Sequence, residues 1–168
     1  MLVVIDTIGS IAQGFDVEAD PLAYLLKGWS IHTGYSIESW RFSLGTFGID
    51  LPESIHGNEG FDSYMKGAGV SSDYFLSGSI KGLFVGFQSG LLHFSIQNTS
   101  NKSATTHIAS NQGIRIGYRW VLRKTRAYIT PWFSLNYIMN AKTWHSGNYS
   151  YSINSWQPFP AFHVGRKF

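Results

Sequence analysis

The sequence predicts an all-β fold, an eight-stranded antiparallel up-and-down transmembrane β-barrel. Apolar and polar residues alternate with a period of two along eight segments, as expected for strands with two different faces. Short turns alternate with longer connections along the chain. The composition combines 16% aromatic residues and 18 glycines with only 14% charged residues. Aromatic-rich, charge-poor strands are typical of barrels that cross a membrane.

The predicted strands follow one another through the chain from about residue 15. Their ranges are 15–20, 29–37, 40–51, 66–77, 82–97, 107–122, 126–139 and 156–168. The short turns are 38–39, 78–81 and 123–125, and the longer connections are 21–28, 52–65, 98–106 and 140–155. Because consecutive strands run in opposite directions, all the longer connections should lie at one end of the barrel. An even number of strands brings both chain ends to the other end.

Three positions interrupt the regular alternation. In the third and fifth predicted strands the apolar residues change phase beside Gly45 and Gly90, and Pro131 lies inside the seventh. A β-bulge adds one residue and exchanges the two faces of a strand, and glycine or proline often marks one. We therefore predict bulges at these positions.

The polar face of the strands combines small residues with charges of both signs. We expect its charged residues to form an ion-paired network in the lumen, because unpaired buried charges are costly. The residues concerned are Asp16, Glu18, Arg41, Asp73, Arg115, Arg119 and Lys167. An interior enclosed by eight strands is narrow enough for side chains to fill it. The alternative is a soluble lipocalin-type ligand-binding barrel, with the apolar face inside and the polar face outside.

The first twelve residues are predicted to be the remnant of a signal peptide, followed by one barrel domain over 13–168. Residues 2–5 are apolar, and Ser10 and Ala12 have the small-x-small spacing of a cleavage site. The chain has no cysteine and a net charge of only +3 without a basic cluster, so neither a disulfide framework nor a nucleic-acid partner is expected.

The last predicted strand carries a family resemblance. Phe162, Val164 and Phe168 share one face of an amphipathic strand, and Phe168 is the last residue of the sequence. This pattern, with the alternating loops, resembles the small eight-stranded bacterial outer-membrane β-barrel proteins of the outer-membrane-protein-A-like and OmpX-like superfamily. The resemblance implies a porin-like fold in the outer membrane of a Gram-negative envelope. It also implies that the barrel assembly machinery recognises Phe162, Val164 and Phe168, and that lipid and lipopolysaccharide surround the barrel.

One pair of residues could carry chemistry. His93 and Ser95 lie two residues apart and so on one face of the fifth strand. The pair is similar to that of the lipid A deacylases of the outer membrane, but a nucleophilic serine also needs a third group to orient its base. No carboxylate is found nearby in the sequence. We therefore favour two polar lumen residues, positioned by the Gly90 bulge, over a lipid A-modifying enzyme.

The favoured function is accordingly non-enzymatic. Such a barrel could serve in envelope structure, in surface contact or as an accessory subunit of a membrane complex. No cofactor and no metal site are predicted, because no two of the six histidines share a spacing typical of zinc ligands.

Overall fold

The computed structural model describes residues 13–122, 125–147 and 149–168. The predicted signal remnant at 1–12 lies outside the described residues. The elements in chain order are β1 (Gly14–Ala19), α1 (Pro21–Leu25), β2 (Trp29–Ile37), β3 (Trp40–Leu51), α2 (Glu53–His56), β4 (Phe61–Phe75), β5 (Gly82–Asn98), β6 (Ala104–Val121), β7 (Ala127–Met139), β8 (Thr143–Ser146), β9 (Tyr149–Ser152) and β10 (Trp156–Lys167).

Eight of these strands close into one antiparallel barrel. Its order is β1, β10, β7, β6, β5, β4, β3 and β2, and β2 returns to β1. The predicted fold class is therefore confirmed. The sequence did not predict the hairpin of β8 and β9, which lies within the last long connection.

The connections divide the barrel into two ends, as predicted. The turn end carries the short connections after β2, β4 and β6 together with the start of β1 and the end of β10. The loop end carries α1, α2 and the β8–β9 hairpin. Within the described ranges, neither helix is long and apolar enough to cross a membrane.

The predicted bulges at Gly45, Gly90 and Pro131 are wrong. The pairing of β3 with β4 keeps one register from Trp40↔Tyr74 to Leu51↔Ser63, and the pairing of β4 with β5 is equally regular on both sides of Gly90. The register of β6 with β7 is also the same before and after Pro131. The faces of these strands do not exchange. Instead, the barrel interior changes from polar to apolar along its axis, and that change produces the shift in the sequence pattern.

An apolar cluster lies in the interior at the loop end. It combines inward side chains of the barrel with residues of α1 and of the segment after β8. Its buried members are Ala23, Ile49, Phe61, Met65, Leu92, Phe94, Ile96, Ala109, Ile138, Tyr151 and Ile153. A smaller cluster extends towards the turn end and contains Phe75, Ile80, Phe84, Trp132 and Ala161.

The exterior of the barrel is apolar, with aromatic pairs at two levels. Tyr118 and Trp120 pack together near the turn end, with ring centroids 4.6 Å apart, and Tyr137 and Trp156 meet near the loop end at 5.1 Å. Trp120 pairs with Ile129 of β7, and Tyr137 lies eight residues after Ile129 on the same strand. That separation is about 27 Å along a strand and about 21 Å across a membrane at the usual ~40° tilt. The two levels therefore match a membrane-spanning apolar band of ~25 Å.

This arrangement does not support the soluble lipocalin-type alternative. Ile116, Tyr118, Phe133 and Leu135 are all exposed on the outer face. A soluble barrel would present polar side chains there and bury these residues inside.

Candidate functional site

A layer of charged side chains crosses the interior below the apolar cluster of the loop end. Six of the seven residues predicted for the lumen network are buried there. They are Asp16 and Glu18 on β1, Arg41 on β3, Asp73 on β4, and Arg115 and Arg119 on β6. We call these six residues the charged layer. They come together because each lies at an inward position of its strand at a similar height in the barrel.

Arg41 is the centre of the charged layer. Its side chain is fully buried, and its Nη2 lies 2.6 Å from Asp16 Oδ1 and 3.0 Å from Glu18 Oε1. Its Nε donates a second hydrogen bond to Asp16 Oδ2 at 3.0 Å. Two parallel N–H···O contacts to one carboxylate are the strongest geometry available to an arginine. Arg41 therefore ties β3 to β1, the two strands on either side of β2.

The other two arginines complete the pairing on the opposite wall. Arg115 Nε lies 3.1 Å from Asp73 Oδ1, and Arg119 Nη2 lies 3.3 Å from Glu18 Oε2. Their guanidinium carbons also lie over aromatic rings, Arg115 at 4.1 Å from the Trp132 centroid and Arg119 at 3.9 Å from that of Tyr128. Contacts of this kind between a cation and an aromatic ring are more favourable when water is excluded.

Two further members of the site were missed by the sequence reasoning. The Tyr128 hydroxyl lies 2.8 Å from Asp16 Oδ1 and 3.0 Å from Glu18 Oε2, and His163 Nδ1 lies 2.8 Å from Glu18 Oε1. Their inward phase on β7 and β10 was visible in the sequence. Their partners were not, because contacts across a closed barrel leave no local pattern.

Lys167 and the predicted assembly residues lie apart from this layer. Lys167 is half-buried in the inward phase of β10 at the turn end, and no ion pair of it occurs within the described part of the chain. Val164 and Phe168 are exposed on the outer face, and Phe162 shares their phase but is half-buried. The Phe168 N–H donates to the Phe15 carbonyl oxygen at 2.8 Å.

The charged layer balances internally. Three carboxylates face three guanidinium groups, and each acid has an arginine partner. Each acid of the layer thus lies within ion-pair distance of an arginine, although Arg115 Nε and both carboxylate oxygens of Asp73 make no hydrogen bond to any residue that the structure describes. Among the described residues, no group of three histidine or acidic side chains could hold a metal ion.

The structure corrects the lumen position expected for His93 and Ser95. Without a bulge at Gly90, both residues lie on the outer face of β5, in phase with the exposed Leu91. His93 lies between Lys66 and Ile108 of the neighbouring strands. Ser95 lies between Tyr64 and Thr106. None of these neighbours is a carboxylate. Within the described ranges, no hydrogen bond joins His93 to Ser95.

An apolar cavity of about 690 Å³ lies directly above the charged layer. Its floor includes His32, Trp132 and His163, and His32 packs against His163 with ring centroids 4.7 Å apart. Phe47 and Ile49 line its inner wall. The volume is within the range of pockets that hold small molecules.

Polar groups of the loops form the roof of the cavity. The Tyr151 hydroxyl donates to Ser63 Oγ at 3.0 Å, and burial raises the pKa of Tyr151. Burial also lowers the pKa of His56, whose Nδ1 accepts a hydrogen bond from the Asn58 backbone N–H at 3.0 Å. Both rings are in contact, with centroids 5.2 Å apart. The roof is therefore an ordered structure with neutral side chains at ordinary pH.

Comparison with known proteins gives structural relatives only. No protein-family model matches the sequence, and no curated protein matches it. The crystal structure of Neisserial surface protein A (NspA) aligns with a TM-score of 0.59 and 16% identity, over 93% of this chain and 96% of that one.

Two further solved structures give the same result. The N-terminal β-barrel domain of Pseudomonas aeruginosa OprF aligns with a TM-score of 0.53 and 13% identity, over 92% of this chain and 97% of that one. A major outer membrane protein from Thermus thermophilus aligns with a TM-score of 0.50 and 11% identity, over 94% of this chain and 100% of that one. Because the sequence identities are this low, the structural alignments establish a shared fold and nothing beyond it. The fold and the apolar exterior are those of a small, integral, eight-stranded β-barrel of the bacterial outer membrane.

Proposed function

We propose that this protein is a non-conducting and non-enzymatic component of the outer membrane, which acts through its rigid barrel and its loop end. Envelope structure, contact at the cell surface and service as an accessory subunit of a membrane complex are the roles that fit such a barrel. The observation that carries the proposal is the buried, charge-balanced layer across the lumen.

The charged layer supports a closed interior for a physical reason. Arg41 is 0% exposed and Asp73 is 1% exposed, so water does not reach the centre of the layer. An ion passing through would have to separate pairs such as Arg41 and Asp16, and breaking a buried pair strands an uncompensated charge. An eight-stranded barrel is also narrow enough for side chains to fill its cross-section at the level of the charged layer. A continuous water-filled path is therefore not expected.

The proposal includes three kinds of partner. Outer-membrane lipid contacts the apolar belt. Lipopolysaccharide is proposed as the partner of Lys66, which is exposed on the outer face of β4 beside His93. The barrel assembly machinery is proposed to recognise the outward residues of β10. Envelope proteins are proposed to bind at the loop end.

Conductance measurement tests the closed lumen. The refolded protein is inserted into planar bilayers, with a wide porin as the positive control. We expect no discrete conductance steps from this protein. Reproducible steps that follow protein concentration would refute the proposal.

A mass analysis of lipid A tests the absence of enzymatic activity. Cells that lack the gene are compared with cells that express the wild type or Ser95→Ala. We expect the same lipid A masses in all three. Loss of one acyl group in the wild type alone would instead establish the deacylase alternative with His93 and Ser95.

A further inference from the structure

The wall of the barrel is incomplete on one side near the loop end. β1 pairs with β10 only from Ala19↔Val164 to Asp16↔Lys167. β10 continues to Trp156, and over this part it pairs with β7 alone. Beyond Ala19 the chain turns into α1, which contacts β10, β2 and β3 without extending the sheet. One edge of β10 is therefore left without a strand partner.

The hydrogen-bond pattern shows which residues face that edge. Ile138 N–H donates to the Ser155 carbonyl at 2.7 Å, and Lys167 N–H donates to the Arg126 carbonyl at 2.9 Å. Odd-numbered residues of β10 thus bond to β7, and even-numbered residues direct their backbone groups away from it, because these directions alternate along a strand. Phe168 follows this rule, since its N–H donates to the Phe15 carbonyl.

Two prolines occupy the open edge. Pro158 and Pro160 are both even-numbered and therefore lie where an N–H group would point into the gap. Proline has no N–H, so neither residue leaves an unpaired donor in the membrane, where such a donor would cost several kcal/mol. The sequence is therefore adapted to a gap that stays open.

The gap leads into the cavity above the charged layer. Residues from both faces of β10 line this cavity: Phe159 and His163 from the inner face, and Trp156 with the two prolines from the outer face. Because the edge of β10 is uncovered here, its two faces can line a single cavity. The cavity therefore continues sideways through the wall, between β10 and α1.

The opening lies at the depth of the lipid chains near the loop end, and this is the outer leaflet because outer-membrane barrels carry their longer loops on the extracellular side. Pro158 pairs with Leu135 and Pro160 with Phe133, and both of these partners are exposed in the apolar belt. Trp156, which pairs with Tyr137, marks the upper boundary of that belt. A molecule that enters here comes from the hydrocarbon region.

We infer that the cavity binds the hydrocarbon chain of an outer-leaflet lipid, which enters sideways through the gap between β10 and α1. The walls are apolar and include Phe47, Ile49 and Phe94, and the volume of about 690 Å³ is large enough for a ligand of this class. The paired rings of His32 and His163 limit how deep the chain can reach. The headgroup stays outside, at the level of Trp156.

Fluorescence quenching by brominated lipid tests this inference. Trp132 is 9% exposed and lies inside the barrel at the cavity floor, whereas Trp120 is 52% exposed on the outer face. The protein is reconstituted in vesicles of phosphatidylcholine brominated near the middle of its acyl chains. Comparison of the wild type with Trp132→Phe and with Trp120→Phe isolates the quenching of each side chain. We expect Trp132 to be quenched at least half as strongly as Trp120.

A variant that fills the cavity and a control variant with the same change on the outer face test whether the quenching of Trp132 depends on the cavity. Ala23→Phe places a ring in the cavity and should reduce the quenching of Trp132 at least threefold, while Ala104→Phe, the same change on the exposed outer face, should leave it unchanged. Heat-modifiable gel mobility verifies folding, and Ile49→Phe replaces Ala23→Phe if the latter does not fold. An unquenched Trp132, or quenching that the filling variants do not reduce, would overturn the inference.

A second arm distinguishes the source of the chain. Brominated free fatty acid is added from water to the protein in vesicles of unbrominated lipid. Quenching of Trp132 by the brominated phospholipid supports a chain that comes from the membrane. Quenching by the free acid alone would overturn the sideways route.

Discussion

Replacement of Arg41 by methionine should strongly destabilise the barrel. Methionine keeps much of the side-chain volume but removes a charge from the charged layer. Arg41 contacts Asp16 at 2.6 Å and Glu18 at 3.0 Å, and none of the three side chains is more than 2% exposed. Removing one partner of a buried ion pair costs about 3–5 kcal/mol, because the remaining charge is left uncompensated. We expect a loss of this size in the free energy of unfolding of Arg41→Met.

Urea unfolding in lipid vesicles, followed by tryptophan fluorescence and by heat-modifiable gel mobility, measures this loss. Arg166→Met, on the exposed outer face of β10, is the control and should change the free energy of unfolding by less than about 0.5 kcal/mol. The double variant Arg41→Met/Asp16→Asn should recover at least about 1 kcal/mol, since it removes the stranded charge. If Arg41→Met cost less than about 1 kcal/mol, or the double variant recovered nothing, the charged layer would not be a coupled network.

Three other predictions concern the outer belt, the loops and the chain end. Ile116→Lys, near the bilayer midplane, should lower the free energy of unfolding by about 2–4 kcal/mol, and Val121→Lys, nearer the turn end, by about 0–1 kcal/mol. Urea unfolding in vesicles measures both losses, and equal losses would contradict the assigned membrane depth. Burial lowers the pKa of His56, so on acidification the unfolded loop takes up a proton before the folded loop does. The stability of α2 should therefore be full above the usual histidine pKa of 6.5 and should decline as the pH falls from there to the lower pKa of the folded state. The hydrogen-exchange protection factors of residues 53–60, which correct the observed rates for the pH dependence of intrinsic exchange, should therefore fall on acidification in the wild type but not in His56→Gln. A fall in both would contradict a role for His56. Deletion of Phe168 should reduce insertion in cells far more than it reduces stability after refolding in detergent, measured by gel mobility; equal losses would make Phe168 a packing residue only.

The cavity and the charged layer differ in how visible they were in the sequence. Asp16 and Arg41 stood out because charges are rare in this chain and lay on the polar face of a predicted strand. The apolar lining of the cavity was predicted wrongly. The apolar residues that follow Gly45 and Gly90, among them Phe47, Ile49 and Phe94, predict a bulge that exchanges the two faces of the strand. The error follows from assuming that one barrel interior has one polarity. The inward side chains at the loop end pack against α1 and the β8–β9 hairpin, so apolar residues are buried there.

The sequence by itself determined the architecture of this protein, and only the tertiary structure decided what its interior contains. Strand periodicity and loop lengths are local properties, and they define an up-and-down barrel and its two ends. Which charges pair, where His93 and Ser95 face, and that Pro158 and Pro160 border a gap depend on the register of strands that are distant in the chain. That register is set by barrel closure, because each strand must satisfy two neighbours at once. Because β1 is short, the loop-end part of β10 has a strand partner on one edge only.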